Sequence, residues 1–211
     1  MARPVARRTA GQRLRYLAKR LVQMEIAVWE SLYRFVFRRP RVPPGATAFT
    51  YHQPVFQILV TFIVLTAIEI PVLDLIFHRW TAVRVPLLIA GIWGFTWMLG
   101  LLFGFLTRPH AVGPDGIHIR NGAEVDIFLA WDDIYSLTRK RNGSPPKTPQ
   151  LTVQPDGTTL RLAVNDEVNL EIDLEQTIEV RLPHGLQRIK RLQFHVDDPK
   201  GFMDSVRPYL A

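Results

Sequence analysis

Two long apolar runs, eight residues apart, constrain this chain more than any other feature. Val55 to Phe77 reads VFQILVTFIVLTAIEIPVLDLIF and Pro86 to Thr107 reads PLLIAGIWGFTWMLGLLFGFLT, 23 and 22 residues. As helices each is about 33 Å long, enough to cross a hydrocarbon layer of ~30 Å. A buried hairpin in a soluble protein is disfavoured, because the second run holds no charge and the first only two. The expectation is a pair of membrane spans, at 55–77 and 85–107, joined by the short connector HRWTAVRV.

Charge orients that hairpin. Up to Thr50 the chain carries eleven Lys and Arg against Glu25 and Glu30, a balance of +9, so the remainder of a +7 chain carries −2. Four of these cations crowd into RFVFRRPR, whereas the connector offers only Arg79 and Arg84. The positive-inside bias then places both ends of the chain in the cytoplasm and the connector outside, with Trp80 as an interfacial anchor. The first apolar run starts more than fifty residues in and exceeds a signal-peptide core, so no cleavable secretory signal is expected. The absence of cysteine excludes disulfides and thiolate chemistry.

Polar residues inside the first run need partners, because a carboxylate in hydrocarbon is costly. Glu69 and Asp74 lie five positions apart, about 140° around a helix, so they cannot form a carboxylate pair. Asp74 is expected near the outer end, within reach of His78, Arg79 and Arg84. Glu69 sits deeper, beside Pro71, which removes a backbone hydrogen bond and should kink the helix. At matching depth on the second run lie Trp93 and Trp97, whose indole N–H groups could satisfy Glu69. Trp93, Trp97, Gly100 and Gly104 share one helical face, and the two glycines have the spacing that allows close helix approach. Glu69 is therefore expected to lock the two spans together or to a second copy. A proton or ion path through an oligomer is the alternative.

The arm before the hairpin has its own pattern. Within residues 11–37, Leu14, Leu17, Leu21, Val22, Val28, Trp29, Leu32, Tyr33 and Val36 recur at helical spacing, with Arg13, Arg15, Lys19, Arg20 and Arg34 on other positions. An interfacial helix on an anionic leaflet is one reading; a helix packed on the C-terminal domain or on another copy is the other. Nucleic acid is not the expected partner of such charge beside a membrane span. Residues 38–54, with four prolines and a glycine, read as an irregular link.

Beyond Arg108 the pattern changes to short alternating segments: IHIR, EVDIFLA, IYSLTRK, LTVQ, TTLRLAV, NLEIDL, TIEVRL and IKRLQFHV. Gly116, Asn121-Gly122, Asn142-Gly143 and Asp156-Gly157 read as turns. In DDPKGFMDSVRPYL, Asp198 suits an N-cap, Pro199 the first helical position, and Phe202, Val206 and Leu210 one apolar face. The fold class expected is a two-span helical hairpin plus a mainly β C-terminal domain, an antiparallel barrel or sandwich of about seven strands closed by a C-terminal helix. The divisions fall at 1–54, 55–107 and 108–211.

The run RPHAVGPDGIHIRNGAEVDIFLAWDDIYSLTRK, with Trp131 to Ile134 as a W-x-x-I motif and the closing DDPKGFMDSVRPYL, resembles bacterial pleckstrin-homology-like domains attached to membrane spans. It covers about half the chain. The whole layout is similar to two-span membrane proteins of high-GC bacteria, in keeping with the preference for Arg over Lys. The resemblance implies a cytosolic interaction module at the inner membrane, and no catalytic residues. In such folds a basic loop can grip phosphate headgroups. Arg139, Lys140 and Arg141, with Arg188, Lys190 and Arg191, are the two clusters that could do so here; ordinary solvated charge is the alternative.

No enzyme, cofactor or metal is expected. Asp132 and Asp133 are adjacent, and on a strand would face opposite sides. The six histidines lack chelating spacing, and the four serines lack a nucleophile context. The expected function is a non-enzymatic membrane protein, a scaffold or assembly component whose partners are anionic lipid headgroups and another copy or another membrane protein. A channel or transporter subunit using Glu69 is the alternative.

Overall fold

Helix α1 (Ala10–Val36) opens the computed structural model, which describes residues 10–38, 41–122, 124–143, 150–154, 157–183 and 185–210. Expectations that rest on the side chains of Arg13, Leu14 and Arg141, or on Ser144, Asp156 and His184, lie outside the described residues. After α1, strand β1 (Thr47–Phe49) precedes helices α2 (Gln53–Ile76) and α3 (Thr81–Thr107). Both helices are long and apolar enough to cross a membrane. No residue of α2 is buried, and α2 continues as a helix through Pro71.

The second helix starts at Thr81, four residues before the expected Val85. Arg84 interrupts the hydropathy pattern without interrupting the helix. Its guanidinium grips Asp74 on α2 through two bonds, of 2.5 and 2.9 Å, so a charged residue at the helix start is held by its neighbour.

A mainly β domain follows: β2 (His110–Gly113), β3 (Gly116–Asn121), β4 (Val125–Ala130), β5 (Ile134–Gly143), β6 (Gln150–Gln154), β7 (Gly157–Leu162), β8 (Glu167–Leu182) and β9 (Gly185–Phe194). They form two sheets, ordered β1-β2-β3-β4 and β5-β8-β9-β7-β6. Helix α4 (Pro199–Val206) and a 3₁₀ turn over Arg207–Tyr209 complete it.

Four departures from the sequence pattern have local causes. The link before α2 is not wholly irregular, since β1 pairs with β2, Thr47 against Val112 and Phe49 against His110. NLEIDL and TIEVRL are one strand, β8, because no turn-forming residue separates them; a register irregularity between Asp173 and Ile178 replaces the turn. Asn142-Gly143 continues β5 opposite Val168 and Glu167 instead of turning. The turn lies at Asn165-Asp166, both at positive φ (48° and 63°) as a type I′ turn requires. Beyond it β7 and β8 diverge, and β9 fills the gap. Phe194 faces Leu162 on β7 and Leu170 on β8, so β7 and β9 run parallel and the domain is not purely antiparallel.

The core lies between the sheets and α4. Phe202 and Val206 are fully buried, with the Phe202 ring 5.1 Å from Phe49 and 5.5 Å from Phe194. Asp198 caps α4, accepting from the Gly201 N–H at 3.0 Å. Trp131, in a 3₁₀ turn rather than a strand, donates to the Pro114 carbonyl and stacks on Tyr209 at 4.4 Å.

Both ends of the helix pair are fastened to this domain. Arg41 N–H donates to the Thr107 carbonyl at 2.9 Å. Arg120, almost fully buried, donates from Nη1 to the carbonyls of Arg41 and Pro109. Asp197 accepts from the Gln53 N–H at the start of α2 (3.1 Å). Tyr51 stacks on His110 at 4.4 Å and accepts from the Gly122 N–H.

His110 accepts the Arg120 N–H on Nδ1 and bonds the His195 carbonyl through Nε2, which makes it the neutral Nε2–H tautomer. Burial pushes its pKa down to about 4, and burial lowers His195 as well. The unfolded chain therefore takes up protons below about pH 6.5 that the fold refuses. Stability is full above that pH and declines toward pH 4, by on the order of 3 kcal/mol from His110. Thermal unfolding of the detergent-solubilised chain is expected to show this decline, and His110→Gln to flatten it in part.

Candidate functional site

The face of α3 that carries Trp97, Gly100 and Gly104 meets α1 and not α2. A Cβ on Gly100 would clash with Cγ1 of Val28, and one on Gly104 would lie 3.5 Å from Oγ of Ser31. Val28 and Ser31 are buried in this crossing. The Ser31 hydroxyl donates back to the Ala27 carbonyl (2.6 Å), which leaves no polar group open where the backbones approach. Phe35 stacks on Phe103 at 3.9 Å.

The opposite face of α3 meets α2. Gly91 lies against Ile70, with 3.0 Å from a built Cβ to Cγ1. Gly91 and Gly100 are nine positions apart, about 900° of rotation, and so point in opposite directions. Arg84, two turns before Gly91, shares its face, as Asp74 shares that of Ile70. α3 is thus the middle helix of three.

This arrangement redistributes the polar residues. The Trp97 indole donates to Oε2 of Glu25 on α1, at 2.6 Å, and not to Glu69. The Trp29 indole donates to the other oxygen of the same carboxylate (3.2 Å). Trp93 packs edge-on to Trp97 at 6.3 Å and is exposed. Glu69, next to Ile70, is turned away from α3 and exposed.

Where α1 passes the β-domain end of α3, ion pairs replace apolar contact. Glu30 takes Arg34 at 2.8 Å and Arg108 at 3.3 Å. Burial pushes the Glu30 carboxyl up, but the Arg34 hydrogen bond and the Arg108, Arg34 and Arg41 charges outweigh it and hold the group below its usual range. Burial pulls Arg108 down; Glu30 opposes this, while Arg41 and Arg34 add to it by repulsion. Ten residues earlier on α1, Arg20 pairs with Glu124, just before β4, at 3.0 Å. α1 therefore lies across the end of the domain as it crosses α3. A cleft of about 720 Å³ opens at this junction, with Lys19, Arg20, Arg41, Arg108 and Arg181 on its wall against Glu30 and Glu124.

α1 keeps a second, outer face. Leu17, Leu21, Val22, Trp29, Tyr33 and Val36 are exposed along it. α1 thus packs on α3, which neither expectation for the arm named, and leaves an apolar face open.

The two basic clusters of the β domain face acids across the ladder. Lys140 on β5 pairs with Glu171 on β8 at 2.9 Å, and Arg191 on β9 pairs with Asp173 at 2.5 Å. Arg188 pairs with Glu179 (2.9 Å), and Lys190 donates to the Glu175 carbonyl (2.6 Å). Arg139 is exposed. Among the described residues no group of His, Asp and Glu could hold a metal ion. His52 and His195 do approach one carboxylate, Asp197, at 4.0 and 3.6 Å, a meeting that 143 positions of separation conceal in the sequence.

Comparison with protein-family models, with curated proteins and with solved structures finds no match.

If the Gly100 approach seats α1, then Gly100→Leu should unseat it, whereas Gly94→Leu, with open space around it, should not. Trypsin cleavage after Lys19 and Arg20 in the detergent-solubilised chain is expected to accelerate in the first variant only. Equal rates in both would contradict the seating.

Proposed function

We propose that α2 and α3 cross a bacterial inner membrane as a hairpin, that the β domain sits in the cytoplasm, and that the protein holds this domain against the membrane as a non-enzymatic scaffold or assembly component. One observation carries the reading: a 24-residue apolar helix with no buried residue, both of whose flanks return to one β domain. An unburied apolar surface of that length is stable in lipid and a liability in water. The cation excess before α2 favours the cytoplasmic side for that domain.

The open apolar face of α1 supports an interfacial position on the same leaflet, with its cations toward lipid phosphates. Two packed sheets closed by a C-terminal helix support the pleckstrin-homology-like identity of the domain, as does the Trp131 turn. The cross-strand pairing of Lys140, Arg188 and Arg191 argues against an open cationic patch on the ladder. Nothing in the charge distribution favours nucleic acid over lipid.

A second reading rests on Glu69. Exposed on α2 and turned away from α3, it favours a contact with another copy of the chain, where a carboxyl in lipid would find a donor. Such an oligomer is also what the channel alternative requires.

Topology is the direct test, and the cysteine-free background makes it clean. In intact spheroplasts, Thr81→Cys at the connector end of α3 should react with a membrane-impermeant maleimide. Ser205→Cys on α4 should react only after lysis. Reaction of both from the same side would refute the spanning hairpin.

A further inference from the structure

Arg108 is the most heavily buried cation of the junction cleft, its side chain only 5% exposed. Its Nη2 reaches Glu30, but Nε and Nη1 have no hydrogen-bond partner among the described residues. Leaving buried donors of a charged group unmade is expensive. The planar fork of a guanidinium matches the oxygens of a phosphate.

The surroundings match the same chemistry. Five cations against two carboxylates leave the wall with an excess of three positive charges. Glu124 is taken by Arg20 and Glu30 by Arg34 and Arg108, so neither is an idle anion that would repel another. Part of the wall is apolar, formed by Trp97, Leu101 and Phe105, which precede Arg108 along α3. Leu101 and Ile26, both exposed, carry that wall outward along α3 and α1. A soluble anion has no use for such a wall, whereas an acyl chain does.

We infer that this cleft seats the phosphate of an anionic phospholipid, with Arg108 at its base, Lys19, Arg41 and Arg181 around the headgroup, and the acyl chains on Leu101 and Ile26. The site is separate from the basic clusters of β5 and β9. It would couple the leaflet to the crossing of α1 and α3, since one guanidinium serves both the lipid and Glu30. The inference rests on the reading of α2 and α3 as membrane spans, and its test scores that reading first.

The full chain is reconstituted in vesicles of phosphatidylcholine with a minor fraction of phosphatidylglycerol, and its resistance to alkaline carbonate extraction is measured. Release from the vesicles would overturn the membrane reading and the lipid site with it. For a chain that stays inserted, native mass spectrometry after extraction counts retained phosphatidylglycerol. Wild type is expected to hold one phosphatidylglycerol per chain, and Arg108→Gln to lose about tenfold or more in retention, the scale of charge-assisted hydrogen bonds. The exposed pair Lys19→Gln/Arg181→Gln, which leaves the packing untouched, is expected to lose several-fold, and Arg139→Gln nothing. Wild-type retention in both the Arg108 variant and the Lys19/Arg181 variant overturns the proposal. Arg108-dependent binding of inorganic phosphate to a chain that retains no phosphatidylglycerol overturns it too, by assigning the site to a soluble anion.

Discussion

Thr47 to Phe49 lie antiparallel to His110 to Val112, and between these two strands runs the whole of α2 and α3. That pair makes the helical hairpin an insertion in a β sheet. A tether leading to a separate domain would leave the hairpin free to tilt and turn. Here both flanks are fixed within a few residues of the helix ends, by Arg41 on Thr107 and by Gln53 on Asp197. Arg120 is the common clasp, reaching the carbonyl of Arg41 on the incoming side and that of Pro109 on the outgoing side. A motion of the hairpin about its base would strain buried hydrogen bonds, whose loss leaves unsatisfied groups at about 1–3 kcal/mol each.

From that base α3 rises with work for both of its faces. Gly91 admits Ile70 of α2, and Gly100 admits Val28 of α1. Small residues at the two crossings let the helix backbones approach closely. The polar contacts follow depth. Arg84 and Asp74 pair at the connector end, Glu25 and Trp97 at the middle of the α1 crossing, and Glu30 and Arg108 at the β-domain end. Glu69 stands outside this scheme, exposed on α2.

Much of this was legible in the residues. Apolar length alone marks α2 and α3, and the alternation beyond Arg108 marks most of the strands. Asp198, Phe202 and Val206 mark α4 because capping and four-residue spacing are local rules. Asp74 was expected within reach of His78, Arg79 and Arg84 by the same kind of local argument, and it pairs with Arg84. The expectation that this glycine face meets the first span or a second copy left out α1, which is the helix that occupies it. The face of Trp97 and Gly100 could be read from spacing, but spacing does not say which helix it meets. A signal was present in the arm: Glu25 and Glu30 are its only acids among eleven cations, and both bind α3 or the residue following it. β1 escaped notice because three residues between prolines carry no alternation to detect; only their partner strand defines them. Asn165-Asp166 was a readable turn, and Asn142-Gly143 a false one, because the dipeptide's preference for turns yields to a continuous ladder with β8.

The central claim is that the helix pair is inserted between two paired strands. Ala48 and Ala111 are direct Cα partners in that pairing, and opposite residues of an antiparallel pair lie about 4.5–5.5 Å apart, within the span of a disulfide. In this cysteine-free chain, Ala48→Cys/Ala111→Cys should close an intrachain disulfide on mild oxidation, seen as a linked pair of peptides on either side of α2 and α3. Free thiols after oxidation, or bridges only between chains, would contradict the account.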